Sequence, residues 1–274
     1  MPKVNRFNMH DKYCLNMSIL QFVIKTKISE VDVLILNQEV CIGCGLCLSY
    51  CPVKAISLID DKAMINDDEC VECGVCLRAN CCPVNAFFQE ELKWPRIIRR
   101  VFSNAGASHS AGTKGWGRGT QEMKTNDVTD RFKRGQAGIA LEVGRPGVGA
   151  RISDIQIITT IIAKYGVEFE PENPLTYLMD NIGTGTFPEE IMNERVLSAI
   201  IEFVIPSDTL PNIMKGIEEA SNASANTVFS ASIITRAGED DSLPNVETIK
   251  QLGYKVSPNA KINIGLGKRR KSNV

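Results

Sequence analysis

Two stretches decide how this chain is read: CIGCGLCLSYCPVKAI at residues 41–56 and CVECGVCLRANCCPVNAF at residues 70–87. They are one pattern written twice. Cys41, Cys44 and Cys47 recur as Cys70, Cys73 and Cys76 at an offset of 29 residues, and the following Cys-Pro-Val recurs at an offset of 31. Two residues are therefore inserted before Cys82. Of the ten cysteines in 274 residues, all but Cys14 fall between residues 41 and 82. A disulfide-stapled fold spreads its cysteines over what it staples, and a chain of this length buries a core without staples. With two histidines in the whole chain, His-based zinc catalysis is a poor fit. The composition points to thiolate–metal chemistry in a reducing compartment.

Structural zinc is the simpler alternative. It favours two Cys-x2-4-Cys pairs across a longer loop, four ligands in all. Two triplets plus two Cys-Pro do not fit that count. Each run, Cys-x2-Cys-x2-Cys followed by Cys-Pro, resembles the bacterial two-cluster ferredoxins. In that family three closely spaced cysteines wrap three corners of a cubane, and the cysteine before proline ligates the other cluster. Gly43, Gly45 and Gly74 permit the backbone angles such wrapping needs. The resemblance implies two 4Fe-4S clusters, one held by Cys41, Cys44, Cys47 and Cys82, the other by Cys70, Cys73, Cys76 and Cys51. Cys82 is preferred over its neighbour because it keeps the Cys-Pro register of Cys51–Pro52. Cys81 is then a spare thiol, a small buried residue or a redox-active neighbour, and Cys14 has no partner motif. Ile42, Leu46, Ile56, Val71, Val75, Val84 and Phe87 are expected to form an apolar shell that tunes the potential.

Outward from the cysteines, Asp32–Asn37 reads as a strand and Ile56–Ile65 as a hairpin turning at Asp60–Asp61–Lys62. Charge is uneven. Residues 31–92 hold ten acidic and three basic residues, and residues 93–134 hold ten basic and three acidic, so the overall net charge of −1 hides a dipolar chain. The two segments either face one another in the fold or orient a charged partner at long range. The glycine-rich stretch 104–120 lacks either periodicity and reads as loop.

From Ala137 the pattern alternates. Strands are expected at Ala137–Val143, Val167–Glu170, Val196–Ile205 and Thr227–Thr235. Helices are expected at Ile152–Tyr165, with Ser153 and Gln156 at capping-box spacing, and at Pro211–Ser221. A short helix, Val246–Leu252, and strands at Lys255–Ser257 and Lys261–Leu266 follow. The expected fold class is α+β: an N-terminal dicluster ferredoxin module, then a ferredoxin-like βαββαβ sandwich with an extra helix and strands. The expected organisation is an extension at 1–30, the cluster domain at 31–92, a basic glycine-rich linker at 93–136, the sandwich at 137–267 and a basic tail at 268–274. The turn Gly144–Gly149, leading into a helix beside Arg145 and Arg151, is either a tight βα turn or an anion site for a flavin phosphate, a carboxylate or an acidic partner face. Lys124, Asn126, Asp127 and Arg131 are polar enough for a site but form no known catalytic set, and His109 has no assigned role.

A longer resemblance takes in EELKWPRIIRRVFS (90–103), GRGTQEMKTNDVTDRFKRGQAGIALEVGRPGVG (117–149) and VSPNAKINIGLG (256–267). These look like an anaerobe family of 4Fe-4S proteins associated by name with 6-hydroxynicotinate reductase. That resemblance implies the electron-relay component of an anaerobic reductase, working with a redox partner protein or reductase subunit. Two alternatives are a reductase with its own flavin or substrate site in the C-terminal domain, and a redox-sensing or sulfur-handling module. The expectations also include a cytoplasmic location, no nucleic-acid partner, no membrane span and a homo-oligomer as one option. No run of 18 apolar residues occurs.

Overall fold

The computed structural model describes residues 32–104, 117–119, 130–240 and 242–256. Cys14, His109, Lys124, Asn126, Asp127 and the expected strand 261–266 lie outside them. Within this range helices and strands mix in an α+β arrangement.

The cysteine repeats build four short strands: β1 (Asp32–Leu36), β2 (Ile56–Ile59), β3 (Lys62–Ile65) and β4 (Phe87–Glu91). β2 and β3 form the expected hairpin, from Ile56↔Ile65 to Ile59↔Lys62. Its central residues Asp60 (φ 48°) and Asp61 (φ 57°) are both left-handed, as a two-residue hairpin turn requires and as Asp tolerates. β1 does not pair within its own repeat. It runs antiparallel to β4, from Asp32↔Glu91 to Leu36↔Phe87. Inner strands therefore pair with each other, and so do outer strands, giving an internal two-fold. The same backbone bonds recur on both sides: Asn37 N donates to Ala86 O and Asn66 N to Ala55 O, each at 2.8 Å. Gly45 (φ 72°) and Gly74 (φ 64°) each open a short helical turn, Leu46–Tyr50 and α1 (Val75–Arg78).

The segment expected to be a linker begins differently. Ile97–Ser103 is a helix, α2, and Ile97, Ile98 and Phe102 are buried in one hydrophobic cluster with the larger sheet. The apolar positions 97, 98, 101 and 102 share a helical face. Arginines at 96, 99 and 100 mask that signal in the sequence.

The second unit contains β5 (Gln136–Val143), β6 (Ala150–Arg151), α3 (Ile152–Ala163), β7 (Glu168–Phe169), β8 (Arg195–Val196), β9 (Ala199–Pro206), α4 (Leu210–Ala223), β10 (Phe229–Thr235) and α5 (Pro244–Gln251). β10-β5-β9-β7 form one antiparallel sheet. Alternate residues of the two central strands face the helices: Ala137, Ile139, Leu141 and Val143 of β5 and Ala199, Ile201, Phe203 and Ile205 of β9 join the cluster that holds α3 and α4. The expected strand Val196–Ile205 is broken. Leu197 N donates to Ser103 Oγ of α2 at 2.8 Å, so the ladder stops and β8 pairs with β6 instead. Residues 255–256 form no strand.

The cap of α3 also differs from the expectation. Arg151 N donates to Asp154 Oδ2 at 3.0 Å, while Gln156 Oε1 accepts from Phe187 N at 2.7 Å. Asp154, three residues after the cap, satisfies the end and its charge suits the helix N-terminus. Asp154→Ala is expected to cost about 1 kcal/mol, read as a fall of a few degrees in melting temperature.

Candidate metal centre

The internal two-fold creates two cavities. The first is lined by Cys41, Cys44 and Cys47 of the first repeat and by Cys81 and Cys82 of the second. The second is lined by Cys70, Cys73 and Cys76 together with Cys51 of the first repeat. The remaining walls are mostly apolar, including Leu36, Ala86 and Phe87 around the first and Leu34, Ile56 and Val71 around the second. All nine described cysteines are unpaired by disulfides. Among the described residues no three Cys, His, Asp or Glu side chains are grouped to hold a single metal ion; the thiols stand around spaces instead.

The hydrogen bonds separate Cys81 from Cys82. Ala55 N donates to Cys51 Sγ at 3.1 Å, and at the matching place in the other repeat Ala86 N donates to Cys82 Sγ at 3.3 Å. Both sulfurs are acceptors, as a ligating thiolate is. The Cys81 thiol donates to Cys76 O at 3.4 Å, a bond that needs its proton. Cys82 is thus the structural equivalent of Cys51, and Cys81 occupies a thiol's place.

The thiols are not electrostatically alike. The backbone amides of Ala63 and Gly43, aided by Lys62, hold Cys41 below the usual thiol range. Burial pushes Cys70 and Cys76 up to about 12 and raises Cys73 and Cys47 as well. Burial also raises Cys81. Burial disfavours the thiolate form of Cys70, Cys73 and Cys76, so binding a cationic centre beside them would release protons.

Side chains that sequence reasoning missed hold the second loop. Glu72 takes the place that Gly43 holds in the first repeat. Gly43 (φ +67°) admits no side chain, since a Cβ there would lie 2.0 Å from Asp61 O. Glu72 is also left-handed, at φ 53°, and buried. Its carboxylate accepts from Leu34 N at 3.1 Å and from Arg96 Nε at 2.8 Å. Arg99, 5% exposed, donates to Cys70 O at 2.8 Å, Asp67 O at 2.6 Å and Glu194 Oε2 at 2.5 Å. Glu69 pairs with Arg151 and Arg195 of the second unit. Arg96 of the basic segment pairs with Asp67 and Glu72 of the acidic one, whereas Arg118, Arg131 and Arg134 pair with Glu142, Glu170 and Glu239. The opposite net charges of 31–92 and 93–134 signalled the first of these contacts.

The turn Gly144–Gly149, read as either a tight βα turn or an anion site, packs against this same seam. A Cβ on Gly147 would lie 3.1 Å from Pro52 O, and one on Gly149 would meet Val53 at 3.6 Å. Arg151 donates to Asn193 O and Glu69, Arg145 pairs with Glu142, and Asp154 caps the helix. The first amides of α3 are spent on Glu194 O and Met192 O. The segment packs against the cysteine module through Pro52 and Val53. Arg131 lies beside Glu170 at 3.5 Å.

Residues 34–57 match the 4Fe-4S binding domain family. No curated protein and no solved structure matches the chain. The match takes in the end of β1, Cys41, Cys44, Cys47, Cys51 and the first half of β2, so the first repeat is an iron–sulfur element of ferredoxin type. Among the described residues no helix is long and apolar enough to cross a membrane.

Proposed function

We propose that this chain carries two 4Fe-4S clusters and relays electrons as a component of an anaerobic reductase. Cys41, Cys44, Cys47 and Cys82 hold one cluster, and Cys70, Cys73, Cys76 and Cys51 the other. The observation that carries this reading is the crossed lining of the two cavities, each taking three cysteines from one repeat and its Cys-Pro cysteine from the other. The matched amide bonds to Cys51 and Cys82 support the same assignment. When bound, the clusters supply one-electron redox chemistry. The chain's own residues do the rest. Apolar walls exclude water, amides stabilise sulfur charge, and Arg99 fixes the Cys70 loop against the second unit.

The remaining expectations enter as parts of this proposal. Residues 31–92 act as the cluster domain. Residues 137–267 act as a ferredoxin-like sandwich, a reading supported by the fourth-first-third-second order of its sheet strands. It docks a redox partner or reductase subunit in the cytoplasm. The test is iron, sulfide and zinc analysis with electron paramagnetic resonance on anaerobically purified protein. About eight irons per chain and two interacting paramagnetic centres on reduction are expected. About four irons, or zinc in place of iron, overturns the reading.

A further inference from the structure

The internal two-fold provides its own control. Equivalent positions of the two loops differ sharply in exposure: Ile42 is 62% exposed and its counterpart Val71 1%. Cys44 is exposed and Cys73 buried. The second loop is covered by Arg96 and Arg99 and by the second unit. Among the described residues, nothing covers the first loop in this way. Ile42, Leu46 and Leu58 are all exposed there, and Leu58 Cδ1 lies 3.5 Å from where a Gly45 Cβ would sit, so its side chain reaches the same loop. The surroundings are acidic. Exposed Asp60 and Asp61 turn the hairpin whose Asp61 carbonyl abuts Gly43, and exposed Glu39 precedes Val40. Lys62 turns its ammonium onto Cys41 O.

We propose that the loop Val40–Leu46 with the 58–61 hairpin tip is the docking face for a one-electron redox protein whose own contact is a small apolar patch ringed by lysine or arginine. This rests on the two-cluster reading. A small patch suffices, because electron-transfer encounters are weak and bury little area. The carboxylate ring steers a basic partner and sets its orientation. One electron passes between the first centre and the partner: the centre loses one electron, the partner's metal or flavin gains it, and no atom or proton is transferred. The second centre, sealed beneath the second unit, serves the interior side.

The test uses the loaded full-length chain and cytochrome c, a basic haem protein, as probe. Carbodiimide coupling followed by peptide mass mapping is expected to join cytochrome lysines to Glu39, Asp60 and Asp61. In stopped flow, cytochrome c reduction by the reduced chain is expected to slow with added salt. It is expected to fall roughly tenfold in E39Q/D60N/D61N, while E239Q/E247Q on the far unit keeps the original rate. Cross-links confined to the second unit overturn the proposal, as do equal rates in both variants. A wild-type dimer in sedimentation that Ile42→Glu converts to monomer does so too, because a second copy then occupies the face. Iron content separates the two levels: a chain short of iron overturns both readings, and a fully loaded chain with misplaced cross-links overturns this one alone.

Discussion

Cys82→Ser is expected to cut bound iron by half, from about eight atoms per chain to about four, while Cys81→Ser leaves it unchanged. A serine hydroxyl does not replace a thiolate at an iron corner, and the first cavity then offers three thiolates at the ligating positions. The two sulfurs are neighbours in sequence and both line that cavity. Their partners distinguish them, one accepting from Ala86 N and the other donating to Cys76 O. Removing Cys81 deletes one weak bond and little packing. Paramagnetic resonance supplies the second readout: the interaction between two centres disappears in Cys82→Ser and persists in Cys81→Ser. The reverse result moves the fourth ligand to Cys81. By the internal two-fold, Cys51→Ser is the mirror experiment and empties the second cavity.

Arg99→Met is expected to destabilise the protein by about 3–5 kcal/mol. The guanidinium is buried and bonds a buried carboxylate, Glu194, and two backbone carbonyls. Deleting it leaves a charge and two acceptors without their donor, in surroundings where water does not replace it. The size of the effect follows from that orphaning more than from the intrinsic strength of the pair. A melting temperature lowered by roughly 10 °C is expected, since about 1 kcal/mol moves a chain of this size by 2–4 °C. The double variant Arg99→Met with Glu194→Leu is expected to recover part of the loss, because the buried carboxylate is then gone too. A loss under 1 kcal/mol in Arg99→Met shows that the seam between the units does not depend on this arginine.

The cysteine module was legible from sequence because its signal is a spacing. Offsets of 29 and 31 residues survive any uncertainty in local conformation, and the cavities likewise bring thiols together across the repeats, the first with both Cys81 and Cys82 on its wall. The hairpin and most elements of the second unit were legible for a similar reason, since alternation and 3.6-residue periodicity mark a face whatever lies opposite. What lies opposite was not legible. Opposite net charge allows 93–134 to meet 31–92, but only the fold reveals that Arg96 meets Glu72 and Arg99 meets Glu194. The turn 144–149 left a tight turn and an anion loop both open, and only the fold reveals that Pro52 and Val53 lie against Gly147 and Gly149. Ile42 and Leu46 were expected in an apolar shell. They are exposed, because nothing within a repeat says which copy the rest of the chain will cover.

The pairing of outer strand with outer strand also has a consequence in time. During synthesis Cys41, Cys44 and Cys47 leave the ribosome long before Cys82, Ala86 and Phe87, the residues that close the same cavity. β1 has no strand partner until Phe87–Glu91 has emerged. The second cavity waits on the same event, because Leu34 of β1 forms part of its wall. Neither half offers an intermediate holding site, and iron delivered early meets three thiols on an open loop. On the proposed two-centre reading, both cavities are therefore expected to close together, as the last strand docks.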